Sequence, residues 1–141
     1  MTYEEIEAIL ADWLQSMERR DAASLAARFS EDAIYTSMVA GTIRGRPAIE
    51  AMYRGWFTAF PEMVFEVESR LIDGARAAVL WSQQGRHLGE FVGIPATDRS
   101  FVLPGVFFMT FMEGKIVSLR SIYDFTGLLI QVGVLKAKPA L

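Results

Sequence analysis

The sequence predicts an α+β fold in which helices cover one face of a single antiparallel sheet. Between residues 3 and 60, apolar residues recur mostly at intervals of three and four, the spacing of helices with one buried side. From Glu62 onward the apolar residues alternate, and turn signals separate the runs, as in a meander of strands. A strongly curved sheet closed by helices forms a cone with an interior pocket, where ligand sites are common.

Local signals predict three helices and one strand in the first half. Thr2 and Glu5 can form a capping box. Asp21 can cap a second helix, and Pro47 is a favoured first helical residue. The predicted elements are a helix over 3–19, a short helix from Asp21 through Phe29, a turn at Glu31-Asp32, a strand over 33–39, a loop over 40–46 and a helix over 48–60 that ends at Pro61.

Turn signals divide the second half into four strands. Asp73-Gly74 and Glu113-Gly114 are typical of hairpin turns, and residues 93–99 form a longer connection. The predicted strands cover residues 63–72, 76–88, 101–112 and 115–123, and residues 125–134 follow as a short helix or extended tail. We expect residues 1–141 to form one domain.

Composition excludes several classes of function. The chain has no cysteine, which excludes thiol catalysis, and its single histidine argues against a zinc site. The net charge is −3 and the basic residues are scattered, so we expect no nucleic-acid partner. The N-terminus lacks the pattern of a signal peptide and no apolar run could span a membrane, so the cytoplasm is the expected location.

His87 and Asp124 are the candidate catalytic residues, because imidazole and carboxylate groups move protons near neutral pH. Asp124 follows an apolar strand, where desolvation would raise the pKa of its carboxyl group and suit it as a general base. Strand alternation puts Gln83, Gly85 and His87 on one face, with open space at the glycine.

Five further residues are candidates for substrate binding. Tyr35 and Ser37 share a face of the first strand and could donate to a ligand oxygen, and Gln83 is a polar residue on an apolar strand. Tyr53 and Trp56, on the third helix, could line the pocket. The remaining charged candidates are expected outside it: Arg120 on the outer face or an interface, and Glu90 and Asp98 in solvent.

Four segments make the chain similar to a known family. They are 41–49 (GTIRGRPAI), 87–97 (HLGEFVGIPAT), 114–116 (GKI) and 124–133 (DFTGLLIQVG). With the order of elements, they resemble the SnoaL-like polyketide (ester) cyclases of the nuclear transport factor 2-like superfamily. The resemblance implies a cone-shaped, curved antiparallel sheet closed by three N-terminal helices, a cystatin-like α+β barrel.

The resemblance also implies an intramolecular aldol ring closure that needs no cofactor, and the composition already argues against a metal. In the family an aspartate accepts and returns the proton and a histidine assists, and the matching residues here are Asp124 and His87. One turn departs from the family pattern, because residues 95–98 read Pro-Ala-Thr-Asp where Pro-Pro-Thr-Gly is usual.

A second resemblance, to limonene epoxide hydrolases, is incomplete. Tyr35 matches the tyrosine of their Tyr-x-Asn pair, but Ser37 stands where the asparagine would be. Gly85 stands where their arginine would be, so the set that activates water is broken. Epoxide hydrolysis is therefore the less favoured activity.

Three functions remain open from the sequence. The leading one is a cofactor-free acid/base enzyme that cyclises, isomerises or dehydrates a small apolar or polycyclic carbonyl compound. The alternatives are a non-catalytic module of the same fold, which binds a small molecule or dimerises, and an epoxide hydrolase. We also expect a homodimer through the outer sheet face, because both faces of strand 101–112 are apolar.

Overall fold

Helices come first along the chain and strands dominate its second half, which confirms the α+β class. The computed structural model describes residues 1–136. The last five residues of the predicted domain lie outside this range. The elements are α1 (Tyr3–Glu18), α2 (Ala22–Ala27), β1 (Phe29–Ser37), β2 (Gly41–Arg44), α3 (Arg46–Ala59), β3 (Val64–Asp73), β4 (Arg76–Arg86), β5 (Ser100–Met112), β6 (Lys115–Tyr123) and α4 (Phe125–Gln131).

The strands form one curved, unclosed sheet in the order β2-β1-β6-β5-β4-β3. Each neighbouring pair is antiparallel except β1 and β6, which run parallel, so the expectation of a purely antiparallel sheet was wrong at this point. A hairpin forces antiparallel pairing, but β1 and β6 are joined by most of the chain and can pair either way.

Three predictions in the first half were also wrong. The second helix ends at Ala27, and the predicted turn at Glu31-Asp32 lies within β1. The sheet absorbs this polar segment as an irregularity, because the register between β1 and β6 shifts between Phe29 and Ile34. Residues 41–44, expected as loop, form the edge strand β2, which pairs with the end of β1.

The caps predicted from the sequence are present. Thr2 and Glu5 form the reciprocal capping box of α1, and the Asp21 carboxylate accepts from Ser24 N at 3.1 Å at the start of α2. These bonds fix the direction of α1, whose buried side packs on the sheet through the edge-to-face contact of Trp13 with Phe107. None of the helices within residues 1–136 is long and apolar enough to cross a membrane.

Candidate functional site

A largely apolar cavity of about 250 Å³ lies between the inner face of the sheet and α3. One part of its wall is formed by alternate residues of two neighbouring strands, which face inward because side chains alternate along a strand. These residues are Tyr35 and Ser37 on β1 and Ser121 and Tyr123 on β6. The loop after β4 covers the other side. The cavity therefore has the position that the curved sheet predicts, at its concave face.

The hydroxyl groups of Tyr35 and Ser121 form the polar part of this wall. Both residues are buried, and desolvation raises the pKa of Tyr35 to about 12 although a hydrogen bond with Ser121 opposes the shift. Burial also raises the pKa of Tyr123 and of Tyr53 above the usual range. All three phenols are neutral at physiological pH, as an unshifted tyrosine is, and burial extends this range to higher pH, so their hydroxyl groups can donate hydrogen bonds.

Gln83 and Trp56 form a second polar feature of the wall. Gln83 is buried on β4, and Trp56 lies opposite it on α3. The indole Nε1 of Trp56 donates to Gln83 Oε1 at 3.2 Å and also contacts the sulfur of Met63 at 3.1 Å. Five of the residues expected to bind substrate (Tyr35, Ser37, Tyr53, Trp56 and Gln83) thus line one cavity.

His87 does not line the cavity. It lies just beyond the end of β4 rather than within a strand, and its side chain is buried. Nδ1 lies 3.0 Å from Thr97 Oγ1, while Nε2 has no hydrogen-bond partner. The ring of Phe60 packs against both His87 and Trp56. His87 therefore braces the segment 87–99 from behind the cavity wall.

Asp124 is exposed, so the expectation of an apolar environment for its carboxylate was wrong. The residue is the N-cap of α4, and its Oδ1 accepts from Gly127 N at 2.9 Å. The chain leaves the sheet one residue earlier, at Tyr123, which does line the cavity. Asp124 consequently lies at the rim of the site, and its carboxylate does not line the cavity with the tyrosines.

The mouth of the cavity carries a carboxylate that sequence reasoning assigned to solvent. Glu90 is exposed as expected, but it also lines the cavity together with Phe91 and Val92. Phe91 and Ile94 exchange backbone hydrogen bonds across a tight turn, in which Val92 has a φ of 45°. That conformation is costly for a β-branched residue, so the turn holds Val92 at the mouth against its local preference.

The other charged candidates lie outside the cavity as predicted. Arg120 is exposed on the outer face, and Asp98 is exposed and paired with Arg86. Ser121 and Tyr123 were missed because the sequence argument followed the parity of Asp124. The signal was available in the alternation of Leu119, Ser121 and Tyr123, but alternation alone does not say which set faces inward. That is set by the pairing of β6 with β5, whose register shifts beside Thr110.

Comparisons with solved structures agree with this architecture. AclR from Streptomyces galilaeus, provisionally described as a hydroxylase, superposes with a TM-score of 0.84 at 23% identity over 98% of this chain and 91% of that one. IdmH from Streptomyces antibioticus, provisionally described as a polyketide cyclase, gives a TM-score of 0.76 at 24% identity over 91% and 98% of the two chains. These likenesses show a shared fold.

Sequence comparisons identify the family. Nogalonic acid methyl ester cyclase from Streptomyces nogalater is 47% identical over 49 residues, which cover 35% of this chain and 37% of that protein. The matched stretch thus spans little more than a third of that relative's length. A model of the family described as SnoaL-like polyketide cyclase matches residues 8–132. Because this match covers most of its length, the chain belongs to the SnoaL-like polyketide cyclase family.

Proposed function

We propose that this chain is an acid/base enzyme that closes a ring, or moves a proton, in an apolar carbonyl compound bound in the cavity. The observation that carries the proposal is the cavity itself, whose apolar walls enclose neutral hydrogen-bond donors. Apolar walls favour a polyketide-like guest, and donors in a poorly hydrated site polarise a carbonyl group more strongly than water does.

Tyr35 and Ser121 are the donors proposed for the reacting carbonyl. The Tyr35 hydroxyl is protonated at neutral pH and faces the cavity, so it can stabilise the negative charge that develops on an enolate or alkoxide oxygen. In an aldol closure, a base removes a proton from carbon, and that carbon bonds to a second carbonyl carbon. The new alkoxide oxygen then takes up a proton, so the mass of the compound does not change.

We propose that a carboxylate at the rim accepts the proton. Asp124 is the residue that the family resemblance implies, and Glu90 is the carboxylate that lines the cavity. The position of Glu90 favours it, because a general base must reach the substrate directly or through one water. His87 would then act indirectly, by holding the segment that carries Glu90.

The proposal is tested by incubating the protein with nogalonic acid methyl ester, the substrate in the name of the curated relative, and with simpler aromatic polyketide esters. The products are followed by chromatography with mass detection. We expect a new species of unchanged mass whose rate of formation scales with protein concentration. A Tyr35→Phe variant should form it more slowly. Equal rates with and without protein for every ester would contradict the proposal.

A binding module is the second candidate, and one observation favours it. Neither His87 nor Asp124 lines the cavity, and no carboxylate is buried within it among residues 1–136. In that case the protein would retain an aromatic polyketide without converting it. Stoichiometric binding of the unchanged ester, with no product after prolonged incubation, would support the module over the enzyme.

A further inference from the structure

We infer that Trp56 is a positioning residue that holds the side-chain amide of Gln83 in one orientation. The N–H₂ group of Gln83 can then donate a hydrogen bond to the carbonyl oxygen of a ligand in the cavity. This inference rests on the proposed function only in taking the cavity as the ligand site. It concerns which group of a ligand is recognised, and it does not depend on turnover.

The first step is the orientation of the amide. An indole Nε1–H can only donate a hydrogen bond, so the Gln83 atom that faces it at 3.2 Å must be the oxygen. The Gln83 amide is therefore held in one of its two orientations. Its oxygen is occupied and its N–H₂ group points elsewhere.

The second step concerns that N–H₂ group. No hydrogen bond from Gln83 Nε2 to another described residue is found, although the residue as a whole is only 3% exposed. Nε2 is not among the fully buried atoms that lack a partner, so it is open to the cavity that Gln83 lines, where a ligand oxygen can accept from it.

The third step is charge. No arginine, lysine or histidine belongs to the cavity lining within residues 1–136, and the carboxylate of Glu90 lies at the mouth. An anionic acceptor would enter without a counter-ion and past a negative group, which is unfavourable. A neutral ketone or quinone is the ligand class that fits.

The test compares two probes of nearly the same size, 1-tetralone and tetralin, by equilibrium dialysis against the protein. The carbonyl group is the difference between them, so the ratio of their affinities isolates its recognition. We expect the protein to bind tetralone roughly five- to tenfold more tightly, the value of one net hydrogen bond. Gln83→Leu should bring the ratio close to one.

The Trp56→Phe variant tests whether the hydrogen bond from the indole orients the Gln83 amide. The phenyl ring keeps an aromatic wall but frees the Gln83 amide to rotate, so the preference for tetralone should fall about two- to threefold. A change in cavity shape would alter the affinities for both probes together and leave the ratio unchanged. Gln84→Leu is the matched control, because Gln84 is the next residue of β4 and is exposed. It should retain the full preference.

Equal affinities for both probes in the parent protein, or a preference that survives Gln83→Leu, would overturn the inference. If Gln83→Leu fails to fold by circular dichroism, the Trp56→Phe ratio decides alone, and an unchanged ratio rejects the orienting role of Trp56. Ring closure is measured separately, so an inactive protein that still prefers tetralone would reject the proposed enzyme and retain this inference.

Discussion

The ring of Trp81 lies against Gly105 in the place where a side chain on Gly105 would stand. The two residues are paired across β4 and β5, and an added Cβ on Gly105 would come within 2.2 Å of Trp81 Cζ2. The missing side chain lets the indole lie over β5 and reach Tyr123 and Phe107, where it forms part of the cavity wall. The volume of the site thus depends on a glycine that does not itself line the cavity.

We predict that Gly105→Ala destabilises the protein and weakens binding of apolar ligands. The methyl group must displace the Trp81 ring, and overpacking of a filled core costs typically about 1–3 kcal/mol. Urea unfolding gives the stability change, and equilibrium dialysis with tetralone gives the affinity. Gly55→Ala is the control for the unfolding measurement alone, since nothing lies within 4 Å of a Cβ at that position in α3 but the residue itself lines the cavity. It should raise stability by up to about 1 kcal/mol. Equal stability of the parent and Gly105→Ala would refute the close approach.

The buried tyrosines predict a loss of stability at alkaline pH. Burial raises the pKa of Tyr35 from 10.0 to about 12, so the folded state keeps its proton longer than the unfolded state does. This contribution is complete below pH 10 and is lost as pH rises toward 12. We expect Tyr35→Phe to show a shallower decline of unfolding free energy over that window. Below pH 9 the difference between variant and parent should not vary with pH, and an identical decline in both would contradict the assignment.

The contact between His87 and Thr97 is predicted to stabilise the segment that covers the cavity. Thr97→Val keeps the shape of the side chain but leaves Nδ1 of a buried imidazole without a partner, in addition to Nε2. We expect a loss of about 1–3 kcal/mol in urea unfolding. Thr97→Ser, which retains the hydroxyl, should lose clearly less. Equal losses in the two variants would show that the methyl group and not the hydrogen bond matters.

The sequence predicted the fold class and most element bounds because local physics determines them. Capping at Thr2 and the change from helical to alternating periodicity depend on near neighbours, and both agree with the structure. β2 was missed because its four residues, Gly41–Arg44, carry little pattern, and their strand geometry comes from pairing with β1.

The candidate site was predicted only in part, for a geometric reason. Tyr35, Ser37 and Gln83 lie inside regular strands, where alternation determines the facing side. His87 and Asp124 each lie one residue beyond the end of a strand, where the chain turns and alternation no longer applies. Their positions depend on hydrogen bonds, between His87 and Thr97 and from Gly127 to Asp124, which the periodicity of apolar residues cannot predict.

Variants of the rim carboxylates separate catalysis from helix capping. We predict that Glu90→Gln lowers the rate of ring closure by roughly 10²–10⁴-fold and leaves stability unchanged, because the side chain is exposed. Asp124→Ala should lose about 1 kcal/mol of stability with the cap of α4, whereas Asp124→Asn keeps a capping oxygen. If Asp124→Asn reduces the rate and Glu90→Gln does not, the base is Asp124, as the family resemblance implies.

The outer face of the sheet predicts a homodimer. Leu80, Val106 and Ile122 are aligned across β4, β5 and β6, and Phe108 lies beside them on β5. Leu80, Phe108 and Ile122 are between 40% and 55% exposed in the single chain. A contiguous apolar patch of this kind is unusual on an isolated protein and is commonly covered by a second subunit.

We therefore expect light scattering at micromolar concentration to give twice the mass of the chain. Phe108→Glu should shift the protein to the monomer, because a dimer would bury that charge without a partner. Tyr3→Glu is the control, since Tyr3 is 57% exposed on α1, which packs on the opposite face of the sheet. It should stay dimeric. A monomeric parent would contradict the prediction, and a dimer that survives Phe108→Glu would place the interface on another surface.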